Sequence, residues 1–283
     1  MLELRAGESS LALVPELGGA ILSWTREGVA LLRRAAPRAL IQGDVREMAC
    51  FPLVPYSNRI AHGQFRFAGV TYRLALNFGD HPHSIHGVGW QRAWRVTHAA
   101  RDAAMLSLRH SPDAGWPFAF AAEQRFRLTP TALHVDLAIT NQHTAPVPAG
   151  LGLHPYFPRG DAALRFNAEA VWRNGADHLP SERVAVPAAW DHTAARTIGS
   201  VALDNCFEGW DGAAVLTWPD RTLTIEASDI FRCLIVYTPP GQDFFCAEPV
   251  SHMNDAINRD AMHVLAPGET LSGTVVFRLA ASA

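Results

Sequence analysis

Lysine is missing altogether: the 24 basic side chains of the 283-residue chain are all arginine. That absence excludes Schiff-base chemistry and the lysine-dependent phosphate loop. Cysteine is scarce and scattered. Cys50, Cys206, Cys233 and Cys246 form no C-x-x-C pair, so neither a zinc knuckle nor a dithiol redox motif is written into the chain, and buried free thiols are the expectation. No apolar run approaches the ~18 residues that a membrane span needs. The N-terminus, Met1-Leu2-Glu3-Leu4-Arg5, carries an early acid and no secretory apolar run. A cytoplasmic location with no membrane partner is therefore expected. Charge of either sign is also in short supply: 24 basic against 27 acidic groups leave a net charge of −3, which provides no footprint for nucleic acid.

What the chain has is apolar material, with 48% hydrophobic and 18% charged residues, enough to bury a sizeable core and too apolar for disorder. Helical periodicity is rare. Short apolar–polar alternation predicts strands at residues 11–14, 20–24, 29–32, 65–67, 70–74, 123–128, 133–141, 164–166, 214–218, 223–227, 234–237 and 274–279. Turn residues between 65–67 and 70–74, and between 123–128 and 133–141, predict hairpins. Many antiparallel strands with scattered loops make an all-β fold, a large antiparallel β-sandwich or barrel. Nineteen prolines and 21 glycines are spread without a linker-like concentration, so residues 1–283 are expected to form a single domain. Residues 168–200 show the weakest periodicity and are expected to be long surface loops.

In such a fold chemistry gathers on strand ends and loops around a cleft, so polar residues in apolar surroundings are the candidates. Arg59 follows the nearly uncharged run Pro52-Leu53-Val54-Pro55-Tyr56-Ser57-Asn58. It is either a surface residue or a rigid fork for a ligand oxygen. In His81-Pro82-His83-Ser84-Ile85-His86-Gly87, three close histidines look superficially like metal ligands; one functional histidine with two loop histidines is the preferred reading. His154, in Gly150-Leu151-Gly152-Leu153-His154-Pro155-Tyr156-Phe157, is either a satisfied core histidine or a group poised near neutrality by its surroundings. Glu248 ends the apolar stretch Phe244-Phe245-Cys246-Ala247, and glutamate is rarely buried unless paired or functional. Asp204, taken alone, is a turn residue. Tryptophans such as Trp90, Trp94 and Trp210 are expected mostly in the core, with stacking on a sugar face as the functional alternative.

In order along the chain, these segments resemble the aldose 1-epimerase (mutarotase) family. The resemblance runs through Glu16-Leu17-Gly18-Gly19 with Trp24, then Asn58-Arg59-Ile60 with Gly63, Phe65, Gly69, Tyr72 and Leu74. It continues through His86-Gly87 with Trp90 and Trp94, His154-Pro155-Tyr156-Phe157, Asp204 with Phe207, and Glu248-Pro249 with Asp255-Ala256 and Asn258. It covers nearly the whole chain, and its strength lies in the order of the pieces. One departure is visible: Gly87 is followed by Val88 where the family pattern has a second glycine, which bears on the shape of the pocket.

The resemblance implies a large antiparallel β-sandwich with few short helices and an open cleft. It implies Glu248 as general base, His154 as general acid, and Arg59, His86, Asp204 and Asn58 as substrate-binding groups. The implied reaction interconverts the α and β anomers of a hexose or pentose, with a small-molecule sugar as partner and with no cofactor and no metal. The Asn58-Arg59-Ile60 pattern is closer to relatives acting on neutral aldoses, although Arg92, Arg95 or Arg232 would be candidate contacts for an anionic sugar. Two other classes compete: a non-catalytic carbohydrate-binding sandwich, which would not need an acid facing a base, and a metal-dependent cupin-like sugar isomerase resting on His81, His83 and His86.

Overall fold

A computed structural model describes residues 1–280, and antiparallel strands account for about half of them. An 11-stranded sheet runs in the order Leu2–Ala6, Ser9–Val14, Ala20–Arg26, Cys50–Leu53, Gly152–Pro158, Phe244–Val250, Cys233–Tyr237, Asp204–Glu208, Ala170–Asn174 and Pro180–Ala185, with Val29–Ala30 added beside Ala20–Arg26. A nine-stranded sheet runs Arg95–Ala99, Ala103–His110, Phe120–Leu128, Ala132–Asn141, Thr270–Leu279, Arg221–Ala227, Ala213–Trp218, Ala163–Phe166 and Arg196–Thr197. Three two-stranded ribbons complete the described residues. These include the predicted hairpin Gln64–Phe67 with Val70–Arg73, and Arg59–Ile60 paired with Ser84–Ile85. Among the described residues the α-helical content is one six-residue turn, Pro37–Gln42, and none of its helices is long and apolar enough to cross a membrane. The fold is the expected all-β antiparallel architecture.

Strand alternation explains where the site sits. Side chains of Leu153, Phe157, Phe207, Leu234, Phe245 and Ala247 join those of the nine-stranded sheet, such as Val275 and Phe277, in one large core. Their neighbours one residue along must face the other way. Phe51, Tyr156, Cys206, Ile235 and Cys246 accordingly form a second, smaller apolar floor on the opposite face of the large sheet. His154 and Glu248 belong to that second face by the same alternation.

Two expectations change. Residues 168–200 are not all loop: Ala170–Asn174 and Pro180–Ala185 form the edge hairpin of the large sheet, and Arg196–Thr197 an edge of the other. An edge strand needs few buried side chains, and Pro180–Ala185 buries only its first residue fully, so alternation was too faint to read. The centre of the large sheet was also hard to read, because Pro52, Pro155 and Pro249 lie inside three of its strands. Proline usually argues against a central strand because it cannot donate to the ladder.

Candidate active site

The ladder between Gly152–Pro158 and Phe244–Val250 pairs Gly152 with Val250 and Tyr156 with Cys246, but is interrupted between them. Counting inward from either end places His154 opposite Glu248, and His154 Nε2 lies 3.5 Å from Glu248 Oε1. Both side chains are more than nine-tenths buried. His154 Nδ1 and Glu248 Oε2 have no hydrogen-bond partner in the protein. Both residues line a cavity of about 410 Å³, inside the roughly 300–1,000 Å³ range of small-molecule sites.

A loop crossing the floor supplies the next groups. Asn58 and His86 both adopt left-handed backbone angles, φ 56° and φ 63°. They are tied together: the Asn58 backbone N–H donates to His86 Nδ1 at 3.2 Å, and the His86 N–H donates to the Asn58 carbonyl at 2.9 Å. Because Nδ1 accepts, the neutral His86 ring carries its proton on Nε2 and offers a donor for a ligand. The Asn58 side-chain oxygen accepts from the Arg59 backbone N–H at 2.9 Å and from Arg59 Nη1 at 3.1 Å. Arg59 Nη2 then reaches Asp204 Oδ2 at 3.0 Å. Asn58 therefore positions Arg59 and His86, and the Arg59–Asp204 pair spans the cavity wall.

Residues conspicuous in the sequence without a role find one here. Asp255 accepts from the Ala61 N–H at 3.0 Å and from Asn258 Nδ2 at 2.7 Å, while its own N–H donates to the Arg59 carbonyl; it latches the chain just beyond Arg59. The indole N–H groups of Trp90 and Trp94 donate to the carbonyls of Gly87 and Gly89. Gly87 has φ +68° and a Cβ there would lie 2.3 Å from the Val54 carbonyl oxygen, so only glycine fits. Val88, the departure from the family pattern, turns its side chain into the inter-sheet core, away from the cavity.

The pair's electrostatics follow from burial. Burial pushes the Glu248 carboxyl well above the ordinary glutamate range; Asp204 pushes the same way and Arg59 opposes. Burial, then the Arg33 guanidinium, pull His154 down to about 3. His86 is held well below its ordinary value by burial, with His154 and Arg59 adding to the effect. These shifts favour the neutral forms of all three groups, so a proton held by the pair is favoured on the carboxyl group over the imidazole.

Sequence reasoning missed Arg33. Its guanidinium lies 3.5 Å above the Tyr156 ring and 4.7 Å from that of Phe244. Tyr156 stacks on His154 at 4.6 Å, and the Phe51 ring lies beside both, 4.7 Å from the imidazole and 6.1 Å from Tyr156. The signal available was period-two alternation: residues 154 and 156, and 244 and 248, share one strand face. Arg33 itself follows a run read as strand, and nothing local marked it.

The structure brings together every residue the resemblance singled out for the site: Arg59, Asn58, His86, His154, Asp204 and Glu248 all line the one cavity. It also decides between alternatives that the sequence left open. Trp90, Trp94 and Trp210 are buried in the core, and the aromatic lining is Phe51, Phe78, Tyr156, Tyr237 and Phe244. Arg92, Arg95 and Arg232 do not line the cavity; Arg33 and Arg46 do. The histidine triplet does not converge as ligands. His81 Nδ1 accepts from the His83 N–H, His83 Nδ1 from the His62 N–H and His86 Nδ1 from the Asn58 N–H, while His83 Nε2 sits 2.9 Å from the Asp177 carbonyl oxygen.

A family sequence profile described as aldose 1-epimerase matches residues 1–278. The chain belongs to the aldose 1-epimerase family. An uncharacterized Escherichia coli protein, YphB, is 29% identical over 280 residues, covering 94% of each chain. A second uncharacterized E. coli protein, YihR, is 29% identical over 154 residues, or 54% of this chain and 48% of its own. Among solved structures, a putative aldose 1-epimerase from E. coli superposes with a TM-score of 0.91 at 28% identity, covering 99% of this chain and 98% of the other. A galactose mutarotase-like protein from Clostridium acetobutylicum shares the fold, with a TM-score of 0.88 at 17% identity and coverage of 99% and 95%. Membership in the aldose 1-epimerase family implies a sugar as the small-molecule substrate.

Proposed function

We propose that the chain is a mutarotase that interconverts the α and β anomers of an unphosphorylated hexose or pentose, with Glu248 and His154 as its acid–base pair. The observation that carries this reading is the 3.5 Å approach of those two side chains at the base of a sugar-sized cavity. A binding protein would have no need to bury an unpaired carboxyl oxygen against an imidazole, because a polar group without a partner costs about 1–3 kcal/mol.

The chemistry asks for little else. Nothing is oxidised and no group leaves the sugar, so one base and one acid suffice. Hydroxyl donors of a bound sugar favour the ionised carboxylate, which moves the shared proton from Glu248 to His154. Glu248 then takes the C1 hydroxyl proton while the His154 imidazolium protonates the ring oxygen, and the C1–O5 bond breaks to give the open-chain aldehyde. Rotation about C1–C2 presents the other carbonyl face. On closure the C5 hydroxyl returns its proton to His154, Glu248 returns its proton to the carbonyl oxygen, and the pair regains its starting state. Arg59 and the His86 Nε2–H serve as donors to sugar oxygens, and Asp204 as an acceptor.

The arginines support a neutral substrate. Arg59 is paired with Asp204 and Arg46 with Asp44 at 2.6 Å, and Arg33 donates to the carbonyls of Met48 and Arg46. No guanidinium among those lining the cavity is left wholly uncommitted for a phosphate. Exchange spectroscopy by NMR across neutral and anionic aldoses tests the reading. Enhanced α/β exchange for a neutral sugar supports it, and no enhancement with any aldose removes it.

A further inference from the structure

We propose that His154 Nε2, Cys246 Sγ and the Glu248 carboxylate form a binding site for one thiophilic divalent cation, zinc above all, whose occupancy switches the site off. The binding stands by itself; the switching consequence rests on the acid–base roles proposed above.

The donor atoms of these three residues lie within 4.8 Å of one another, and all three residues are buried. Strand geometry makes the cluster. Cys246 and Glu248 are two residues apart on one face of Phe244–Val250, and His154 comes from the adjacent strand where the ladder is interrupted. In a tetrahedral zinc site with bonds of ~2.0–2.3 Å, neighbouring ligand atoms are ~3.3–3.8 Å apart. The 3.5 Å between His154 Nε2 and Glu248 Oε1 already matches such an edge. Glu248 Oε2, buried and without a protein partner, leaves the carboxylate free to ligate. His86 is not part of the set, because its Nδ1 is held by the Asn58 N–H.

Donor chemistry selects the ion. One sulfur and one imidazole suit zinc, cadmium or copper and not magnesium or calcium. A divalent ion with one thiolate and one carboxylate is electrically neutral, which favours a site withdrawn from water. Cysteine ligates as the thiolate, so the thiol proton has to leave when the metal binds. Metal binding therefore forms the metal–sulfur, metal–nitrogen and metal–oxygen bonds and releases the thiol proton to solvent. Three protein ligands leave the fourth position of a tetrahedral ion to water. With its Nε2 lone pair on the metal, His154 cannot carry the shared proton, and Glu248 cannot accept one from C1.

The experiment uses the full chain freed of metal by a chelator. Cadmium is added while the thiolate-to-metal charge-transfer absorption is followed in the ultraviolet, and zinc is titrated by calorimetry in buffers of different ionisation enthalpy. The expected result is one ion per chain, a cadmium–thiolate band and proton release as zinc binds. Cys246→Ala and Cys246→Ser lose the band and bind zinc at least ~10-fold more weakly. Zinc suppresses anomer exchange in the wild type and chelator restores it, whereas the Cys246 variants keep exchanging in its presence.

A band that persists in both variants places cadmium on another thiol, Cys50, Cys206 or Cys233, and overturns the proposal, as does unchanged zinc affinity. If neither variant folds, X-ray absorption of the zinc-loaded wild type decides: a sulfur ligand at ~2.3 Å supports the site, and ligation by nitrogen and oxygen alone removes it. A Cys246-dependent band in a chain inactive on every aldose supports the metal site while removing the proposed mutarotase reaction.

Discussion

Glu248 Oε1 and His154 Nε2 face each other at 3.5 Å across the interrupted ladder of two central strands. The separation is slightly long for a hydrogen bond and short enough for one proton to serve both groups. Both line the same cavity, which the proposed acid–base chemistry at one hemiacetal centre requires.

Replacing either member should therefore remove most of the activity. Glu248→Gln and His154→Ala are each expected to lower α/β exchange at least ~10²-fold, with circular dichroism unchanged. Glu248→Gln should not lower thermal stability, because it deletes a buried ionisable group whose charged form burial already disfavours. Full exchange activity in a folded variant removes that residue from the mechanism.

The pH profile reports the pair as a unit. The working state holds one proton, so kcat/KM is expected to persist on the acid side well below an ordinary imidazole value and to fail as His154 titrates towards about 3. The alkaline limb follows loss of the shared proton, from a carboxyl held above its usual range. Arg33→Met removes a cation that depresses His154, so its acid limb should move to higher pH. An acid limb that stays in place shows that the Arg33 charge does not act on His154.

Arg59 and Asp204 should be coupled. Arg59→Ala is expected to raise KM about 10-fold with a smaller change in kcat, the signature of lost binding. Asp204→Asn loosens the same fork, so the double variant should cost less than the sum of the singles. Strict additivity in the cycle, or an unchanged KM for Arg59→Ala, argues against a shared role.

Acid stability should depend on His252. Its Nε2 accepts the Ser57 N–H at 3.2 Å and its Nδ1–H donates to the Met253 carbonyl at 2.8 Å. Burial lowers it to about 4, and His263 adds to the effect. A depressed value in the folded state means that stability is present above the ordinary histidine range and is lost as pH falls towards 4. His252→Asn is expected to flatten the dependence of unfolding free energy on pH in that window by about one proton, or about 1.4 kcal/mol per pH unit. Glu248 contributes with the opposite sign, since its raised value favours the folded state below the ordinary carboxylate range. An unaltered slope in chemical denaturation of His252→Asn places the acid sensitivity elsewhere.

Much of the architecture was legible because one-sided strands alternate. Phe120–Leu128 and Ala132–Asn141 both alternate buried with less buried residues, and the sequence located that hairpin. Gly152–Pro158 was noticed for its histidine and not for its conformation, since six of its seven residues are buried and two are proline. The candidate residues were legible one at a time, as isolated polar groups in apolar or Gly/Pro-rich surroundings. Arg33 was not, because its importance lies in a stack on Tyr156 that no neighbouring residue announces. Cys246 reads as a buried thiol until Glu248 and His154 are seen beside it.

The sequence by itself determined the all-β class, the family and which polar residues to propose for the site, because these depend on local alternation and on residue type in a fixed order. Tertiary structure alone decided that His154 and Glu248 share one cavity, that tryptophans clamp the His86 loop from the core, and that the histidine triplet is held by backbone N–H groups. Those facts depend on register between strands distant in the chain, and on which ring nitrogen a neighbouring backbone N–H reaches. Neither quantity is encoded in a stretch of sequence short enough to read.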